Sequence, residues 1–96
     1  MNLREDIRQG IVELSKKFGL NKVILFGSRA RGDNHERSDI DLAIFGDFDN
    51  CIEFSLAADE IIPTLLMFDF VFADKTLSPE IRAEIERDGV LIYEKI

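Results

Sequence analysis

Apolar residues recur every three or four positions at the start of the chain: Leu3, Ile7, Ile11, Leu14 and Phe18. That spacing predicts an amphipathic helix over residues 2–18. Asn2 with Glu5 forms a capping pair, Lys16 and Lys17 suit the C-terminal dipole, and Gly19 supplies the stop. The period then shortens. Lys22 to Phe26 reads as a buried strand, and Ser28 to Arg31 as one helical turn ended by Gly32. A polar loop over residues 33–38 leads into a second strand from about Asp39 to Phe45. Gly46 to Asp49 is turn material. A third helix, capped by Asn50 with Glu53, puts Cys51, Phe54, Ala58 and Ile61 on one face and ends at Pro63. Thr64 to Phe72 is the longest apolar run and reads as a central strand. Ser78 and Pro79 open a last helix through Arg87, stopped by Gly89, and Val90 to Tyr93 makes a short edge strand. Helices alternating with strands give an α/β fold with a small sheet flanked by helices.

Composition narrows the class. Ninety-six residues suffice for a single small domain with one core and no separate acceptor domain. The net charge of −7 argues against a nucleic-acid binder, which needs a basic face. One cysteine, Cys51, excludes an internal disulfide and fits a reducing cytoplasm. No stretch reaches the roughly 20 apolar residues that span a bilayer, and the N-terminus has no apolar signal core. The expected location is the cytoplasm.

Candidate chemistry gathers between Val23 and Phe48. Asp39 and Asp41 alternate with Ile40, Leu42 and Ile44, so the two carboxylates point to one face of the second strand. Ala43 and Phe45 continue that face, which is therefore not simply solvent. Two acids so placed repel, and a divalent cation between them relieves the repulsion; oxygen-only ligands favour Mg²⁺ or Mn²⁺. Gly27 and Ser28 stand where strand turns to helix, a position whose backbone N–H groups hold phosphate. A phosphate holder beside paired acids is the equipment of metal-assisted phosphoryl or nucleotidyl transfer. Asp69, between Phe68 and Phe70, is the third acid, since an unpaired carboxylate in an apolar run is expensive unless it has work to do.

Gly27-Ser28, ten residues, then Asp39-Ile40-Asp41 resembles the signature of the polymerase-beta-like nucleotidyltransferases, and Ala30 with Gly32 fits its glycine-serine turn. The chain resembles the smallest of them, the minimal nucleotidyltransferase domains, over nearly its whole length. The resemblance implies their mixed-sheet topology. It implies that Asp39, Asp41 and Asp69 hold the metal, with Asp69 also taking the proton of the attacking hydroxyl. Gly27 and Ser28 would bind the β- and γ-phosphates. The family suggests ATP as donor and, as partner, a HEPN-domain protein whose tyrosine receives AMP, so that the chain is the antitoxin of a hetero-oligomeric pair. The rival is an antitoxin that neutralises its partner by binding alone.

The remaining polar residues carry less. Arg29 and Arg31 reach either phosphate, a protein partner or solvent, with Arg31 taken as a nucleotide ligand. Asp47 and Asp74 compete with Asp69 but sit in turns. His35 reads as a solvated loop residue and Cys51 as a small packing residue. Phe48, in a turn, is available for nucleobase stacking or for a partner.

Overall fold

The computed structural model describes residues 1–75 and 77–96. Eight elements follow in order: α1 (Glu5–Lys17), β1 (Lys22–Phe26), α2 (Ser28–Arg31), β2 (Ile40–Phe45), α3 (Phe48–Ile61), β3 (Phe68–Phe72), α4 (Pro79–Asp88) and β4 (Val90–Glu94). The four strands form one mixed sheet in the order β3-β2-β1-β4. β1 runs antiparallel to both β2 and β4, whereas β3 lies parallel to β2. Parallel neighbours need a crossover, and α3 provides it.

One face of the sheet carries the core. Val23 and Leu25 from β1 and Ile40, Leu42 and Ile44 from β2 are fully buried there, against Ile7, Ile11 and Leu14 of α1 and Phe54 and Ala58 of α3. The opposite face holds the other half of each alternation: Ile24 and Phe26, then Asp41, Ala43 and Phe45. α4 covers part of it. Its Ser78 cap accepts from the Ile81 N–H, as Ser-Pro implied, yet no residue of the helix is fully buried.

Three expectations shift. α1 begins at Glu5 instead of residue 2, because Asn2 is engaged elsewhere: its N–H donates to the Arg29 carbonyl and its own carbonyl accepts from Arg29. α3 starts two residues before Asn50, with Asp47 at its N-cap. At its other end the core position is Ile62, while Ile61 is 58% exposed. The helix ends as Ile62 turns extended, and that residue tucks inward ahead of Pro63.

The largest correction concerns Thr64–Phe72. Only Phe68–Phe72 is strand, and it lies at the edge of the sheet instead of the centre. Leu65 is wholly exposed, and the strand phenylalanines are only half-buried because α3 covers one of their sides. Apolar content misled here; a central strand also needs a second neighbour. β4 is the opposite edge, as its short length suggested.

Candidate active site

β1 ends by running directly into Gly27, whose φ of +76° is open to glycine and strained for other residues. The space around it excludes a side chain too. A Cβ on residue 27 would overlap the carboxylate of Asp41, which lies against the glycine backbone because Phe26 and Asp41 are paired across β1 and β2. The glycine turn and the second acid of Asp-x-Asp thus occupy one spot. Ser28 begins α2, and its N–H and that of Arg29 precede any intrahelical acceptor.

Asp69 arrives from β3. The parallel register sets it directly beside Asp41, on the same face of the sheet. Asp39 stands one residue before β2 and is exposed. The Asp41 carboxyl is pushed up to about 6, first by burial, then by the negative charges of Asp69, Asp39 and Glu84 and by hydrogen bonding with Asp69. That shift signals surplus negative charge in a partly dry place. The donors are all carboxylate oxygens, which fit a hard cation in kind. As they stand, no three His, Cys, Asp or Glu side chains among the described residues meet closely enough to hold an ion.

Glu84 was not singled out from sequence. It enters from α4, one helical turn before Asp88, and both face Arg31. The Arg31 guanidinium lies 3.0 Å from Asp33, 3.2 Å from Glu84 and 3.7 Å from Asp88. These ion pairs tie α2 to α4 and compete with the phosphate role expected of Arg31.

Arg29 departs further from expectation, being neither solvated nor open to a ligand. It is buried, and its guanidinium donates to three backbone carbonyls, those of Asn2, Glu36 and Ser38. The last bond holds the residue immediately before Asp39. Arg29 is therefore a positioning residue, fastening the loop that delivers the first acid.

The competitors fall away on position. The Asp74 carboxylate accepts from the Gly46 N–H at 2.8 Å, closing a turn beyond the far end of β2. Asp47 begins α3 without a side-chain cap bond. Burial, with Asp74 and Asp47 nearby, pushes the Cys51 thiol up to about 11, so it is no thiolate nucleophile. His35 is exposed, as expected of a solvated loop residue. Phe48 is 41% exposed but lies in the first turn of α3, edge-to-face with Phe72 and under the Lys75 ammonium. It stands past the end of β2 opposite to Asp41, more than about 13 Å along the strand, too far to stack a base bound beside the acids.

Comparison with known proteins identifies the family. A family model described as polymerase beta, nucleotidyltransferase matches residues 9–96. A Methanocaldococcus jannaschii protein, named as a candidate protein adenylyltransferase, is 31% identical over 97% of this chain and 100% of its own length. A structure described as a candidate minimal nucleotidyltransferase superposes with a TM-score of 0.66 at 28% identity, covering 86% of each chain. The fold recurs, at TM-score 0.66 and 21% identity over 96% of this chain and 75% of the other, in a crystal structure described as a toxin-antitoxin with AMP-PNP. With Gly27 seated against Asp41 and Asp69 alongside, the chain belongs to the polymerase beta nucleotidyltransferase family, among its minimal members.

Proposed function

We propose that this chain transfers AMP from ATP to a tyrosine hydroxyl of a HEPN-domain toxin, and is that toxin's antitoxin. The observation that carries the reading is the contact of the Gly27 backbone with the Asp41 carboxylate, which sets a phosphate-binding turn against an acid pair. Two resemblances support it. The archaeal relative is named for protein adenylylation, and the toxin-antitoxin neighbour was crystallised with an ATP analogue.

In this reading Gly27 lets the backbone approach the β- and γ-phosphates, and Ser28 adds its hydroxyl and N–H. Asp39, Asp41 and Asp69 hold Mg²⁺ or Mn²⁺, which when bound neutralises charge on the triphosphate. Asp69 accepts the proton of the acceptor hydroxyl. That oxygen bonds to the α-phosphorus, the bond from α-phosphorus to the bridging oxygen breaks, and pyrophosphate leaves. Asp41, pushed up to about 6 by burial and then by its acidic neighbours, gains from a cation that neutralises it.

The test is to incubate the protein with α-labelled ATP, Mg²⁺ and the HEPN-domain product of an adjacent gene, following the partner's mass. One or more AMP additions are expected, lost in Asp39→Asn, in Asp41→Asn and in Gly27→Ala, whose new methyl displaces the Asp41 carboxylate. A tight complex with no mass gain, unaffected by these substitutions, would establish the antitoxin that works by binding alone.

A further inference from the structure

The edge strand β3 carries the third acid, and among the described residues no strand pairs with its outer side. The Ile40 N–H donates to the Met67 carbonyl and the Ala73 N–H to the Ile44 carbonyl, which sets the phase of the ladder. Residues 67, 69, 71 and 73 therefore turn their backbone groups toward β2, and Phe68 and Phe70 turn theirs outward. Proteins usually blunt such an edge with charge, proline or a covering element. This one has Asp69 alone, which points to the acid face, and is preceded by Leu65 and by Met67, 69% exposed.

Two clefts border the strand. One, of about 320 Å³, lies on the α4 side between Val71, Leu77 and Ile81. The other, of about 240 Å³, lies on the α3 side between Phe48, Cys51 and Phe72. A free edge with a recess for side chains on either face is the arrangement that receives an added strand. Charge says what kind. From Ser38 to Asp74, the span containing β2, α3 and β3, the chain has nine acidic residues and no lysine or arginine, and Lys75, which borders both clefts, is the first cation after it. Exposed Asp59 and Glu60 on α3 put part of that charge near the start of β3.

We propose that the outer edge of β3 receives an extended, cationic segment of the protein substrate, which pairs with the backbone of Phe68 and Phe70 and sets its hydroxyl residue beside Asp69. The inference rests on the transfer reading above and specifies its acceptor. Side chains on neighbouring strands stand roughly 5 Å apart, so a residue in register with Asp69 and on its face presents a hydroxyl to that carboxylate. Specificity then comes from the strand's register and flanking charge, which suits a domain of this size.

The probe is a synthetic nine-residue peptide with alternating valine and lysine around a central tyrosine, against the same peptide with glutamate for lysine. Amide exchange of Phe68 and Phe70 is followed by NMR in the full chain, and label from α-labelled ATP in parallel. The lysine peptide is expected to slow exchange at both amides and the glutamate peptide to have no effect. Met67→Lys should weaken the lysine peptide by about fivefold through repulsion at the start of the strand. Slowed exchange with no label on the peptide keeps the docking edge and counts against the transfer. Label on the peptide without slowed exchange overturns the docking edge and leaves the transfer intact. Absence of both slowed exchange and label overturns the proposal, as does protection that grows with protein concentration before any peptide is added, which would assign the edge to a second copy of this chain.

Discussion

The two faces of the sheet use the same strands to opposite ends. On the α1/α3 side, β1 and β2 alternate inward with Val23, Leu25, Ile40, Leu42 and Ile44, none of them exposed. On the α4 side the intervening positions bring Asp41 against Gly27 and beside Asp69, with Glu84 approaching from above. The first face is a dry core that gains from every buried group. The second gathers like charges at a cost, and only the stability of the first makes that bearable. The faces should therefore answer substitution with opposite signs.

The largest effect belongs to the dry face. Phe54 is fully buried and meets Phe70 edge-to-face at 6.0 Å, so it joins α3 to the edge strand. Phe54→Ala should cost about 3–5 kcal/mol in urea unfolding. A loss below about 1 kcal/mol would mean that the α3 face does not hold the fold, and the contrast would collapse.

Next comes Arg29, a buried cation serving the charged face. Arg29→Met keeps most of the apolar stem but leaves the carbonyls of Asn2, Glu36 and Ser38 without their donor. The expected cost is about 2–3 kcal/mol, together with faster amide exchange in residues 33–38. If exchange in that loop were unchanged, Arg29 would be a packing residue with no part in holding Asp39.

How much of this was legible in the sequence follows from which forces are local. Gly27-Ser28 and Asp39-Ile40-Asp41 could be read because a turn and a strand alternation are set by near neighbours. The period revealed α1 and α3, and the Ser78-Pro79 start revealed α4, but helix ends moved by one to three residues, since Asn2 was drawn to Arg29 and Ile62 to the core. β3 was placed centrally on its apolar content, whereas edge position depends on which strands pair, a non-local matter. Arg29 had no readable signature at all, because its partners are backbone carbonyls, which any sequence supplies. Glu84 lies fifteen residues beyond the last recognised acid and joins the site only because α4 folds back over the sheet. Its spacing from Asp88 on one helical face was the available hint.

The smallest effect is the most discriminating, because its sign is reversed. In the folded, metal-free protein the Asp41 carboxyl sits at about 6, above the ordinary aspartate value of 3.8. The folded state thus binds that proton more tightly than the unfolded chain does. Between about pH 4 and 6 the unfolded chain gives up the proton first, so stability falls as pH rises and the penalty is complete above about pH 6. A shift of this size corresponds at most to roughly 3 kcal/mol, and partial exposure of the carboxylate reduces it to about 1 kcal/mol. Asp41→Asn removes the ionisation. Near pH 7 without metal it should be more stable than the wild type by about 1 kcal/mol, the two should converge near pH 4, and AMP transfer should be lost. Urea unfolding of both proteins across that range in EDTA measures the difference. Should the variant prove less stable at pH 7, Asp41 would be holding the fold as Phe54 does, and the charged face would be a second core instead of a site.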